Sequence, residues 1–437
     1  MNHIGHDAVR DAARRVSDSR APGTGTGTGT DINTEPHPRA GARASGAAAD
    51  GADQRGVDQR SMDQRGIDER DAAIRARVRD IDRRMHHDIA LLHALEQQLA
   101  ALRFTTDAPP SRGAALEALC ARGLDRLPLP GHGRTAARWR ALAAVAACDL
   151  SLVKLYEGHT DALAILTELH ASLLAAPGRR WGVWAAEPPH RKVTAIPDGS
   201  RDGLRLEGVK PWCSGAMMLT HALVTVSRNG EPVLAAVELA QPSIEMSDDG
   251  WHAVGMAATG TCDVRFDGAR ARQVGDAGAY LARPGFWHGG AGIAACWYGC
   301  AVELAAALRA HVVARAEPHA CAHLGAADAQ LAAAGALLRE TAAWIDAHRR
   351  ADAMRHAMRV RLAVEQAASA VLEHVTRALG AGPLCSDPHF ARAVADLPVF
   401  LRQSHAERDA AALGDVLRNA RDPLERDPDP LWPLACP

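Results

Sequence analysis

The spacing of apolar residues changes twice along this chain, and that change fixes the kind of fold it can adopt. Helical spacing begins near Asp71: Ile81, Met85, Leu92, Leu95, Leu99 and Leu102 keep one face apolar over about six turns. Residues 135–176 read as helices as well. Near Pro177-Gly178 the pattern shortens into strand-like runs at 181–184, 204–206, 222–226, 233–239 and 264–266. Asn229-Gly230 between two of these runs is a hairpin signal, because both turn positions need a positive φ. From Gly289 the helical period returns, and 291–314, 325–347, 353–379 and 388–413 read as four long helices. The predicted fold is α+β and mostly helical. It has an N-terminal helical domain over 71–176, a central antiparallel β-barrel-like domain over 177–275 and a C-terminal four-helix bundle over 276–420.

The flanks read differently. Gly23 to Thr30 is a Gly-Thr repeat, and 51–70 holds the pentapeptides GADQR, GVDQR, SMDQR and GIDER. A five-residue step builds no apolar stripe on a helix, so 1–70 is expected to be a disordered arm. The tail over 421–437, rich in Pro and Asp, is expected to be loose. A net charge of -2 argues against a nucleic-acid footprint or a polybasic membrane patch. No apolar run is read as membrane-spanning. The nine cysteines are scattered without C-x-x-C or a zinc spacing, so no metal is expected and a cytoplasmic location is.

The chemistry concentrates in Gly208-Val209-Lys210-Pro211-Trp212-Cys213-Ser214-Gly215. In an extended segment positions i and i+2 share a face, so an indole can flank a flat redox ring while the Ser hydroxyl reaches a ring heteroatom. No G-x-G-x-x-G follows a strand, which sets a Rossmann site aside. Further motifs stand in order around this stretch: Ala186-Glu187-Pro188 before it, then Gly255-Met256 through Val264-Arg265-Phe266-Asp267-Gly268, then Leu379-Gly380-Ala381-Gly382. Together they resemble the acyl-CoA dehydrogenase superfamily over about 75–415. The resemblance implies FAD at the junction of the three domains. Trp212 would flank the ring and Ser214 would bond near its N5. Backbone around Ala185, Ala186 and Cys213 would meet the pyrimidine edge. Arg315, often supplied across subunits in that family, with Gly380 and Ala381, would meet phosphate. A homodimer or homotetramer is implied too.

This sequence departs from the family at several points. Ala186 replaces a Thr, Arg191-Lys192-Val193 replaces Gly-Ser-Asp, and Ala326 and Ala381 replace a Gln and a Gly. The usual Glu base is missing. Counting on from Asp396 places Ser404 at its position, followed by His405, and the alternative position on the first bundle helix falls near His288-Gly289. One reading is FAD-dependent oxidation of an acyl thioester or related acyl group, passing electrons to a separate acceptor, with His405 or His288 as base. A second is a flavin monooxygenase of the same fold, served by a separate reductase and using oxygen. A third is an inactive scaffold or binding subunit.

Overall fold

The computed structural model describes residues 76, 79–80, 82–102, 104, 108–188, 190–247 and 251–418. The pentapeptide repeats and the 421–437 tail lie outside the described residues. The elements named below belong to one compact unit that begins at Leu92.

Residues 92–100 are helical, and Leu95 and Leu99 of the expected stripe are buried; in the preceding unit residues 82–91 are helical as well and Met85 is exposed. Helices α1 (Pro109–Ala121), α2 (Thr135–Cys148) and α3 (Leu150–Glu168) follow. A buried ion pair joins α1 to the start of α3. Arg112 Nη2 donates to Asp149 Oδ2 at 2.7 Å, and Asp149 Oδ1 accepts from the Leu152 amide at 2.7 Å. Asp149 is therefore both the N-cap of α3 and the counter-charge of a fully buried guanidinium.

Seven strands come next: β1 (Trp181–Trp184), β2 (Val193–Pro197), β3 (Gly203–Cys213), β4 (His221–Arg228), β5 (Glu231–Glu238), β6 (Ile244–Ser247) and β7 (Cys262–Val274). β4, β2, β3, β7 and β5 pair in a closed ring, with β1 beside β4 and β6 beside β7. The barrel is not wholly antiparallel as expected, since β1–β4 and β2–β4 are parallel. The chain enters β4 after the long β3, in the same direction as β1 and β2, so those pairings cannot be hairpins. β4 and β5 are joined at Asn229-Gly230, both at positive φ (54° and 85°), as the hairpin signal requires. β3 alternates buried and exposed residues, while β4 and β5 are buried almost throughout because helices cover their outer faces.

A short helix, α4 (Ala279–Ala282), leads into α5 (Gly285–Arg315), α6 (Pro318–Ala347) and α7 (Met354–Leu379). α5 is long and apolar enough to cross a membrane by length and composition, which the sequence reading did not credit. Most of its apolar window is buried inside the protein, the pattern of a helix at the centre of a core. The fourth expected helix is three pieces: α8 (Ala381–Ser386), α9 (Pro388–Leu401) and α10 (Glu407–Arg418). Asp387 caps α9 by accepting from the His389 and Phe390 amides. The break after α9 places Ser404 and His405 in a turn, followed by Ala406 at φ 45°.

Candidate functional site

Two of the sequence motifs meet inside the barrel. Lys210 is fully buried, and its Nζ donates to Thr225 O at 2.6 Å and Thr225 Oγ1 at 2.8 Å, with Glu187 Oε1 at 3.5 Å. Burial pushes the Lys210 ammonium down from its usual range, and Glu187 opposes that. The Glu of Ala186-Glu187-Pro188 is therefore the counter-ion of the Lys two residues before Trp212. Ala185 and Ala186 are buried directly after β1.

The end of β3 is not extended as the i, i+2 argument assumed. Trp212 has φ 58°, and the β3–β7 register shifts between Lys210 and Cys213. The bulge re-aims the side chains there. Cys213 is buried, and its thiol donates to Lys210 O at 3.2 Å, with burial pushing its pKa well up. Ser214 is anchored twice. Its carbonyl accepts from Trp184 Nε1 at 3.1 Å, and its Oγ accepts from Thr261 Oγ1 at 3.0 Å. Thr259 Oγ1 lies 2.7 Å from Thr261 Oγ1. With Thr261 donating to it, the Ser214 hydroxyl keeps its own proton for another acceptor. That is what a ring nitrogen of a bound flavin would require, so this turn fits the group. Thr261 also lines a cavity of about 770 Å³ between α1, Met217, Met218 and Trp251.

The loop facing this turn is fixed from the bundle. Asp396 on α9 accepts from the Met256 amide at 2.5 Å and from Ser151 Oγ at 3.5 Å. At Gly255 a Cβ would lie 2.1 Å from Ala395 O, so only glycine lets the loop approach α9 this closely. Gly255→Ala is expected to cost about 1–3 kcal/mol through displacement of α9, measured by urea denaturation.

The structure links the two expected base positions through α7. Arg361 Nη1 donates to Gly290 O at 2.9 Å, two residues past His288. Its Nη2 lies 4.0 Å from Asp409 Oδ2, and Asp409 Oδ1 is 3.5 Å from His405 Nδ1. Ser404 Oγ donates to Glu365 Oε2 at 2.6 Å, and Glu365 also pairs with Arg402. A carboxylate thus stands beside the Ser404 position after all, supplied by α7. It is engaged by Ser404 and Arg402, so it is not free to take a substrate proton. Glu365, Asp409 and Arg361 were missed by sequence reading. The only signal was Arg361 and Glu365 at i, i+4 on one face of α7.

His288 is buried, its Nε2 has no hydrogen-bond partner, and burial lowers its pKa from 6.5 to about 4. The unfolded chain binds the proton more tightly. Stability from this group is therefore full above about pH 6.5 and falls as the pH drops toward 4. His288→Gln is expected to flatten that part of the stability curve, read by urea denaturation at pH 4 to 7; an unchanged slope refutes the assignment.

Arg315, Gly380 and Ala381 do not join these groups. Arg315 is exposed at the end of α5, about 40 Å along the helix from His288 at 1.5 Å per residue. α7 runs alongside α5 with Arg361 opposite Gly290, so Gly380 lies toward the Arg315 end. Gly380 sits at φ 66° between α7 and α8, and both it and Ala381 are exposed. Cys120, Asp125 and His159 offer atoms within 4.8 Å of one another. His159 Nδ1 accepts from the Trp181 amide at 3.1 Å, which leaves the proton on Nε2 facing Asp125 at 3.2 Å. Burial pushes the Cys120 thiol up to about 12. Neither group presents the lone pair a metal needs.

No protein-family profile matches the chain, and no curated protein matches it. Solved structures do. KijD3, solved with FMN and a dTDP-linked amino-keto sugar, is 23% identical and superposes with a TM-score of 0.65 over 77% of this chain and 95% of its own. TdsC from Paenibacillus sp. A11-2, solved with FMN and indole, is 18% identical with a TM-score of 0.65 over 77% of this chain and 98% of its own. The methanesulfinate monooxygenase MsuC from Pseudomonas fluorescens is 19% identical, with a TM-score of 0.64 over 75% and 97%. The chain has the acyl-CoA dehydrogenase fold in the form that these proteins share.

Proposed function

We propose that the chain is a flavin-dependent oxidoreductase, and within that class a monooxygenase that takes FMN reduced by a separate reductase together with dioxygen. The observation that carries this reading is the state of the two base positions. One holds Ser404 bound to an engaged carboxylate, and the other holds a buried neutral His288. Neither presents the free carboxylate that abstraction of an acyl α-proton requires. The FMN in KijD3 and TdsC, and the monooxygenase MsuC, support the same reading.

Bound reduced flavin would supply the two electrons that activate oxygen. The chain's own residues do the rest. Ser214 offers its hydroxyl proton to the ring, held in place by Thr261 and by Trp184. Trp212, at the bulge that ends β3, would flank the ring. The Lys210–Glu187 pair keeps the β3 bulge in register. His405, with Nδ1 3.5 Å from Asp409 Oδ1, would be the residue that exchanges a proton with the substrate. Dehydrogenation of an acyl thioester by FAD is the second reading, favoured by the His405–Asp409 dyad as a substitute base. The eight cysteines among the described residues are free thiols, which suits a reducing, cytoplasmic compartment.

The test is anaerobic titration with reduced FMN, then admission of air, beside titration of the oxidised form with acyl-CoAs. Oxygen consumption that depends on the bound reduced flavin supports the monooxygenase. Bleaching of bound oxidised flavin by an acyl-CoA moves the assignment to the dehydrogenase. Failure to bind flavin in either state leaves a binding subunit. His405→Ala is expected to lower kcat by about 10²–10⁴ with flavin content unchanged, and normal turnover removes His405 from the chemistry.

A further inference from the structure

A second cavity, of about 420 Å³, lies between the C-terminal half of α3, the first turn of α5 and the α6–α7 loop. Three buried polar atoms on its lining have no hydrogen-bond partner: Asp161 Oδ1, Arg283 Nε and His288 Nε2. His288 is 2% exposed and Arg283 7%. Buried polar atoms are almost always paired, so three orphans on one cavity mark a place where water or a ligand that displaces it supplies the partners. The helices are built to bring them together. At Gly289 a Cβ would lie 2.7 Å from Asp161 Oδ1, and at Gly285 it would lie 2.1 Å from Glu168 Oε2. Glu168 is already engaged, by the Gly285 amide at 2.9 Å and Arg283 Nη1 at 2.8 Å. Arg349 and Arg350 also line the cavity; both are exposed, and neither has an ion pair among the described residues.

We propose that this cavity binds a small anionic molecule that also carries a hydroxyl group, its anion on Arg349 and Arg350 and its hydroxyl between Asp161, Arg283 and His288. The three inner atoms match a hydroxyl, which can accept from Arg283 and donate to His288. Burial pushes the Asp161 carboxyl up toward its protonated form and holds His288 neutral. A carboxylic acid and the Arg283 Nε–H can donate to the hydroxyl oxygen, and the neutral imidazole can accept its proton. An amine would meet two donors and one acceptor, and an apolar group would leave all three unpaired. The outer arginines suit a carboxylate or a phosphate, since both offer a pair of oxygens to the guanidinium fork. Binding is independent of flavin and is read without it.

Titration calorimetry of the full chain with four probes tests this: inorganic phosphate, glycerol 1-phosphate, acetate and glycolate. The hydroxylated member of one pair is expected to bind about tenfold tighter than its partner, the worth of hydrogen bonds to buried groups. Which pair shows the difference tells a phosphate ester from a hydroxy acid. Arg349→Ala with Arg350→Ala is expected to abolish binding of that pair, and both sites are exposed, so the fold is not at risk. Asp161→Ala or His288→Leu, each of which removes one of those partners, is expected to reduce the hydroxylated probe to the level of its partner. No saturable binding of any probe, or binding unchanged by the double arginine variant, overturns the proposal. Flavin binding that fails while this binding persists refutes the oxidoreductase reading alone.

Discussion

Asp149→Ala is expected to be the most damaging single substitution outside the barrel, at about 3–5 kcal/mol. Two losses add. The first is the N-cap of α3, whose Leu152 amide is left without its acceptor, worth about 1 kcal/mol. The second is larger. Arg112 is fully buried and bonds Asp149 through Nε at 3.4 Å and Nη2 at 2.7 Å, so the variant strands a guanidinium in the core. Arg112→Leu with Asp149→Ser removes the charge and keeps the cap, and it should recover most of the loss. Urea denaturation of the wild type and the two variants reads the loss and its recovery. If the double variant is no more stable than Asp149→Ala, neither the cap nor the stranded charge carries the loss.

Ser214→Ala is expected to weaken flavin binding about tenfold or more, the range for one hydrogen bond to a buried acceptor. The variant keeps the Trp184–Ser214 carbonyl bond, so the turn itself should survive. It also leaves Thr261 without its acceptor, but Thr261 can turn to Thr259 at 2.7 Å. Thr261→Val, which leaves the Ser214 hydroxyl in place, should have a smaller effect. Fluorescence titration with FMN reads both. Equal affinities for wild type and Ser214→Ala would take this hydroxyl out of the site.

The helix–barrel–bundle order was legible because periodicity reports burial, and Asn229-Gly230 reported a turn that only positive φ allows. The motif order was legible as well, though the physical link between Glu187 and Lys210 was not, since 23 residues separate them. Local spacing misled at Trp212. An alternation rule assumes a regular strand, and the bulge there depends on the partner strand β7. It misled again beyond Leu401, where a helical pattern continues although the chain turns. The missing carboxylate was sought along the sequence, whereas Glu365 reaches Ser404 from a helix 39 residues earlier. The 420 Å³ cavity had no sequence signature, because Asp161, His288 and Arg349 come from three separate elements.

The closed ring of five strands has a consequence for how copies of this chain can meet. Among the described residues, every strand in the ring has neighbours on both sides, and the outer edges left are short: β1 and β6 over four residues each, and β2 beyond its one pairing with β4. Unpaired strand edges are the usual templates for adding a strand from another molecule. This sheet offers almost none. Strand addition from another copy, and runaway fibre growth, have little backbone on which to begin.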